Sequence, residues 1–280
     1  MKLARTAPAT RPSEIVVSHR DRWLPLKNMH GYAGITRIAD LVGEQELREL
    51  GEALRRQGDA TEPVEVEEAL AASVADRGTD IWGAGLNYLR HSEDLETQQP
   101  SSGPGSYLRP SGCLIGNGDY IELPVQSKRV TAEAELGLVI GTECKDVPRD
   151  AWQSVVAGVT GVLDMTAEDA IRENPRYIPW SKGFDTFCSI GPVLVTLDEF
   201  GHTLDDVRIA TVLNGETVAS AAPTSMKYDV GYLVEYFTAG RTLAPGTVIC
   251  TGTPGATVIN AGDRVQAVVE GVGTLAHPVR

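Results

Sequence analysis

Glu133-Ala134-Glu135 opens the run Glu135-Leu136-Gly137-Leu138-Val139-Ile140-Gly141, and this segment constrains the fold more than any other. Leu136, Leu138 and Ile140 alternate with Gly137 and Val139, the period of a strand, and Gly141 closes the run. Side chains two apart on a strand share a face. Glu133 and Glu135 are therefore expected side by side on an otherwise apolar strand. Two adjacent carboxylates raise one another's pKa unless a cation lies between them. A divalent ion that takes hard oxygen ligands keeps both ionised. The plain alternative is a solvated acidic edge.

A chain of 280 residues, 42% hydrophobic and 22% charged, has the material for one large core with or without a small appendage. Its 25 basic and 38 acidic residues give a net charge of -13, which excludes a general nucleic-acid binder. An acidic substrate would need a local cation against that field. Cys113, Cys144, Cys188 and Cys250 are scattered without a C-x-x-C pair, as expected of reduced thiols in a cytoplasmic protein. No apolar run approaches a membrane span, and no apolar stretch follows the basic N-terminal residues as in a secretory signal.

Residues 1–75 read as a small region of their own, followed by a larger one over 76–280. In the first, Ile15-Val16-Val17 suggests a strand. Leu47, Leu50 and Leu54 at helical spacing predict a helix over 44–57, stopped by Gly58. From about residue 80, short β-branched runs alternate with Gly, Pro and Asn-Gly turns. Helices are expected near 86–95, 166–173 and 229–239. The fold class is α+β with a mainly β core and peripheral helices.

Four further segments carry chemistry. In Gly85-Leu86-Asn87-Tyr88-Leu89-Arg90-His91-Ser92-Glu93-Asp94, a helix from Asn87 would put His91 and Asp94 on one face. A carboxylate beside an imidazole fixes its tautomer and suits it to activate water; a chance surface pair is the alternative. Asp164 ends the run Val159–Leu163 ahead of a helical stretch, as a helix cap or a third metal ligand. Three carboxylates leave positions open on a hard ion, so magnesium, manganese or calcium is favoured over zinc. Lys182, in Trp180-Ser181-Lys182-Gly183-Phe184, is either a surface lysine or a buried cation for an enolate or carboxylate. Thr251-Gly252-Thr253-Pro254 is either a β-turn or a loop offering donors to an anion.

In this order the segments resemble the fumarylacetoacetate hydrolase family, from Gly83 to the C-terminus. The matching pieces are Gly85-x-Asn87-Tyr88-x-x-His91, Glu133-x-Glu135-Leu136, Asp164, Lys182-Gly183-Phe184-Asp185 with Gly191-Pro192, Asn214-Gly215-Glu216, and Pro245-Gly246-x-Val248-Ile249-x-Thr251-Gly252-Thr253-Pro254. The resemblance implies a β-roll or sandwich core, a homodimer and a bound Mg2+, Mn2+ or Ca2+. It implies that Glu133, Glu135 and Asp164 hold the metal, that His91 with Asp94 activates water, that Lys182 meets the substrate carboxylate or enolate, and that Thr251 and Thr253 line the pocket. The implied activity is hydrolytic C–C cleavage of an acylpyruvate or related 2,4-dioxo acid. Decarboxylation, tautomerisation or isomerisation, or cyclisation on the same fold is the alternative, and a non-catalytic ligand-binding protein the third class.

The departures are also specific. Glu168 stands where the family carries Arg, Ile171 where it carries Gln, Leu163 where it carries Asn before the metal Asp, and Arg109-Pro110 where it carries Lys-Pro. Removing a donor that stabilises an oxyanion typically costs about a hundred- to a thousandfold in rate. Either Arg172 or Arg109 supplies the missing cation, or Glu168 acts as a proton donor in a reaction that builds no oxyanion there, or a shifted helix turns Glu168 to solvent. Substrate choice is expected to lie in a lid between Glu96 and Arg109.

Overall fold

The computed structural model describes residues 1–6, 13–65, 70–89, 99, 101–201 and 203–280. His91 and Asp94 lie outside the described residues, as does most of the helix expected near 86–95. Of its described part, Leu86 takes a left-handed φ of 59° and Tyr88 forms a bridge to Met226.

Strands β1 (Lys2–Arg5), β2 (Ile15–His19) and β3 (Arg22–Pro25) come first, followed by helix α1 (Glu44–Gln57). Next are β4 (Ile81–Gly85), β5 (Gly105–Arg109), β6 (Leu114–Ile115), β7 (Val130–Ile140) and β8 (Val156–Ala167). Helices α2 (Glu168–Glu173) and α3 (Ile178–Ser181) lead to β9 (Cys188–Thr196), β10 (Ile209–Leu213) and β11 (Glu216–Ala221). Helix α4 (Val230–Thr238) precedes β12 (Val248–Cys250), β13 (Ala256–Ile259), β14 (Arg264–Val269) and β15 (Gly273–Pro278). The protein is thus sheet-dominated with a few helices, as the turn-punctuated β-branched runs require.

Eleven strands form the first sheet, in the order β3-β2-β1-β9-β8-β7-β12-β4-β5, with β13 on β7 and β6 on β9. The second sheet runs β11-β10-β14-β15. β1 joins the first sheet directly, Leu3 opposite Leu194 of β9. Helix α1 has the residues that the leucine spacing gives, with Leu50, Ala53 and Leu54 buried.

β7 is buried along its whole length, and its two faces differ in kind. Val130, Ala132, Ala134, Leu136, Leu138 and Ile140 form one face, on the side where the second sheet packs. The small Ala134 lets β10 approach, and Thr211 Oγ1 of β10 accepts from the Ala134 N–H at 3.0 Å. The opposite face carries Thr131, Glu133 and Glu135. The first sheet curls back over this face: from its edge, β5 returns Tyr107 and Arg109 to Asp164 of β8. That roll buries a polar face within the sheet.

Two expectations need correction. Asp164 does not end its strand, because β8 runs on to Ala167 and it is Ala167 that precedes α2 as its cap. The cap alternative for Asp164 therefore falls. The segment read as a lid up to Arg109 is in part β5, since Gly105–Arg109 pairs with β4 along its length.

Candidate metal centre

Glu133 and Asp164 stand directly opposite one another on β7 and β8, and Glu135 lies one step along the same face opposite Val162. Oxygens of the three carboxylates lie within 4.8 Å of one another, and all three residues are buried. The antiparallel register does this: directly opposed side chains lie close together, and neighbours two along share the face.

Two buried cations hold the group. Lys182 Nζ donates to Asp164 Oδ1 at 2.8 Å, to Thr166 Oγ1 at 2.7 Å and to Glu133 Oε2 at 3.4 Å. Lys182 follows α3 and is only 6% exposed, so the surface-lysine alternative is excluded. Arg109 Nη2 donates to the same Asp164 Oδ1 that Lys182 reaches, and its Nη1 to the carbonyls of Lys182 and Phe187. Tyr107, two residues back on β5, donates its hydroxyl to Asp164 Oδ2, and the Lys182 ammonium lies 5.0 Å from its ring centre. Gly83 leaves the space for that ring, since a Cβ there would lie 2.0 Å from it.

The Thr251-Gly252-Thr253 loop closes the far end. The N–H of Gly252 donates to Glu135 Oε2 at 2.9 Å. Gly252 has φ 92°, a conformation that glycine takes without strain. Thr251 is tied to the Leu136 carbonyl by N–H and hydroxyl, and Thr253 Oγ1 to the Gly255 carbonyl. The anion that this loop binds is Glu135 itself. Asn87 fixes the loop from behind, donating to the carbonyls of Thr251 and Tyr228 at 2.9 Å each.

Electrostatics divide the three carboxyls. Burial alone would raise Asp164, but Arg109 and Lys182 outweigh it and hold this carboxyl below its ordinary value. Burial pushes Glu135 well above the carboxylate range, and the charge of Asp164 adds to the rise. Burial would lower Lys182, yet Asp164 and Glu133 keep its ammonium above the usual value. Three carboxyls share two cations, so keeping the third ionised in this buried place takes a further cation beside it. The donor set is all carboxylate oxygen, with no His or Cys in the group. Such a set fits a hard divalent ion, whose charge would remove the repulsion that raises Glu135.

Glu168 and Arg172 lie off this centre. Glu168 is buried, which excludes the solvent-facing alternative, and it accepts from Arg129 Nε at 2.6 Å and from Arg172 Nε at 2.7 Å. Neither Arg172 nor Arg129 makes a hydrogen bond to the three carboxylates. Tyr107 and Arg129 escaped the sequence reading. The Tyr107-x-Arg109 alternation is the one signal that could have found the first, since it puts both side chains on one face of a strand.

Residues 80–280 match the fumarylacetoacetate (FAA) hydrolase C-terminal family. The chain belongs to that family. A 2,4-didehydro-3-deoxy-L-rhamnonate hydrolase of Sphingomonas sp. is 33% identical over 210 residues, covering 71% of this chain and 72% of that protein. A mitochondrial oxaloacetate tautomerase of Rattus norvegicus is 32% identical over 203 residues, covering 70% of this chain and 64% of the relative. The crystal structure of a Sphingobium maleylpyruvate hydrolase with manganese(II) and pyruvate superposes with a TM-score of 0.81 at 25% identity, covering 100% of this chain and 98% of that one. The fumarylacetoacetate hydrolase family thus holds enzymes of several reaction types, hydrolases and a tautomerase among them, and a divalent metal in at least one solved member. This family member carries a candidate acidic site for such an ion, and no helix among its described residues is long and apolar enough to cross a membrane.

Proposed function

We propose that the protein is a divalent-metal-dependent enzyme that hydrolyses a C–C bond of an acylpyruvate or related 2,4-dioxo acid, with residues 76–280 as the catalytic unit. The observation that carries this reading is the buried group of Glu133, Glu135 and Asp164 with Lys182 seated on two of its members. Mg2+, Mn2+ or Ca2+ held by the three carboxylates would supply Lewis-acid stabilisation to the oxo and enolate oxygens of the substrate. Lys182 Nζ releases its longest bond, the 3.4 Å contact with Glu133, and turns that N–H to the substrate carboxylate or to the enolate oxygen of the leaving fragment. Thr251 and Thr253 form the wall beside Glu135. The His91 imidazole, paired with Asp94, takes a proton from water as the water oxygen adds to the distal carbonyl carbon. The C–C bond then breaks, its electron pair passing into the enolate, which is protonated to the oxo acid. We take the protein to be cytoplasmic, as its scattered cysteines suggest, and a homodimer, as the family resemblance implies.

A second reading is favoured by Glu168. A carboxylate pinned by Arg129 and Arg172 occupies the position that the resemblance gives to a carbonyl-polarising arginine. Decarboxylation or tautomerisation of an oxo acid needs no water attack and so does not need that cation.

The test is incubation with Mg2+ or Mn2+ and a panel of acylpyruvates and oxaloacetate, with products identified by mass. Cleavage products, lost by about a hundred- to ten-thousandfold in His91→Ala, support the hydrolase. Carbon dioxide release or enol–keto exchange that survives His91→Ala supports the second reading. Ligand binding without any product leaves only a binding protein.

A further inference from the structure

The face of β7 and β8 that holds the carboxylates continues past them toward α2. Glu133 stands opposite Asp164 and Thr131 opposite Thr166. One register further, the Glu168 N–H donates to the Arg129 carbonyl at 2.9 Å. These three pairs share one face at intervals of two residues, and about 13 Å of extended chain separates Glu133 from Arg129. Glu168 holds Arg129 by Oε2 and Arg172 by Oε1. Its side chain is 8% exposed, those of Arg129 and Arg172 are 49% and 53% exposed. One buried carboxylate thus grips two half-exposed guanidiniums by their Nε edges, and the cluster carries one net positive charge. The Nη groups of Arg129 have no other hydrogen-bond partner among the described residues.

Between this cluster and the carboxylate group lies Thr131, 3% exposed, whose Oγ1 has no hydrogen-bond partner among the described residues. Buried hydroxyls are normally paired, and an unpaired one beside a site calls for a ligand atom. In a chain of net charge -13, a local positive centre also concentrates an anion that the rest of the surface repels.

We propose that Arg129, Arg172 and Thr131 form a carboxylate subsite on this face, taking the far carboxylate of a dicarboxylic 2-oxo acid. Its oxo end lies at Glu133, Glu135 and Asp164, so the subsite rests on the oxo-acid function proposed above. Guanidinium forks suit a carboxylate because two parallel N–H groups meet its two oxygens. Glu168 is a positioning residue that keeps both forks at this end of the face.

The full chain, saturated with Mn2+, is titrated calorimetrically with 2-oxo dioic acids of increasing length and with their monocarboxylic counterparts. At least one diacid is expected to bind about tenfold tighter than its counterpart. That ratio falls toward one in Arg129→Gln/Glu168→Gln/Arg172→Gln, which removes the three charges together and leaves no buried carboxylate unpaired. Glu168→Gln alone adds one unit of positive charge and widens the ratio. If the triple variant does not fold, Thr131→Val leaves the ion pairs in place and is expected to lower the ratio about threefold; an unchanged ratio there overturns the subsite. Equal binding of diacid and monoacid by the wild type also overturns it, while the oxo-acid function stands. A ratio that survives in the triple variant places recognition elsewhere. Failure of every oxo acid to bind removes the function and the subsite together.

Discussion

Two buried carboxylate centres, one on β7 and β8 and one at the start of α2, have opposite charge balance. At Glu133, Glu135 and Asp164, three carboxylates meet Arg109 and Lys182; at Glu168, one carboxylate meets Arg129 and Arg172. The first centre is buried, and its third carboxyl has no cation of its own, so that charge is compensated by a proton or by a cation brought into the site. At the second, the carboxylate is buried and its partners reach into solvent, so the surplus positive charge is offered outward. Burial makes the same ion pair a different device: inside the roll it is a ligand set short of charge, at the rim it is a bracket for arginines.

The strongest test of this contrast separates two residues of one centre. Asp164→Ala leaves Arg109 and Lys182 buried without their main partner, and unfolding in urea without metal should show a loss of about 3–5 kcal/mol. Glu135→Ala removes the carboxyl that burial and Asp164 already disfavour. Its metal-free stability should stay within about 1 kcal/mol of wild type, while Mn2+ retention through gel filtration, read by elemental analysis, should be abolished. Equal destabilisation by both variants would break the contrast.

At the rim, Glu168→Arg sets three guanidiniums together. A loss of about 2–3 kcal/mol is expected, less than at Asp164 because the arginines are half in solvent. Adding about 0.5 M salt should recover part of it at the rim and little at Asp164. An arginine accepted there without cost would mean that Arg129 and Arg172 do not need Glu168.

Gly252→Ala tests the backbone contact of the buried centre. The added Cβ would lie 2.8 Å from the Ala84 carbonyl oxygen, at φ 92°. A cost of about 1–2 kcal/mol in thermal unfolding is expected, with weaker Mn2+ binding as the N–H moves off Glu135. Wild-type metal affinity in this variant would show that Glu135 is held in place by the strand alone.

Much of the first centre is legible in the sequence because its parts are local. Glu133 and Glu135 share a face by the period of a strand, and the apolar alternation around them says that the strand is buried. The helix over 44–57 follows from three leucines in the same way. What closes the centre is not local. Tyr107 meets Asp164 across 57 residues, Arg109 across 55, and Gly252 meets Glu135 across 117. The sheet order β8-β7-β12-β4-β5 brings them together, and periodicity gives a strand's face but not its neighbour. Glu168 fails for the same reason. Arg172, four residues on, was in view as a cation, but Arg129 reaches Glu168 only through the pairing of β7 with β8.

The smallest expected effect comes from a buried titratable group that has no carboxylate partner. His277 on β15 is fully buried; its Nδ1 lies 3.0 Å from the Asp119 carbonyl, and its Nε2 has no partner among the described residues. Burial pushes its pKa below the ordinary value, and the Asp119 carbonyl only partly opposes this. At Asp164 partner charges overcome burial; at His277 burial prevails. The unfolded chain takes up a proton on this imidazole near pH ~6.5, and the folded chain only at lower pH. Between those values the unfolded state binds more protons, so stability is intact above pH ~6.5 and falls as pH drops toward the folded value. His277→Gln keeps a donor for the Asp119 carbonyl and has nothing to titrate. The unfolding free energy of wild type, measured in urea from neutral to mildly acid pH, should fall more steeply than that of the variant. Parallel slopes would mean that the folded protein protonates His277 as readily as the unfolded chain, and that burial without a partner charge does not set its state.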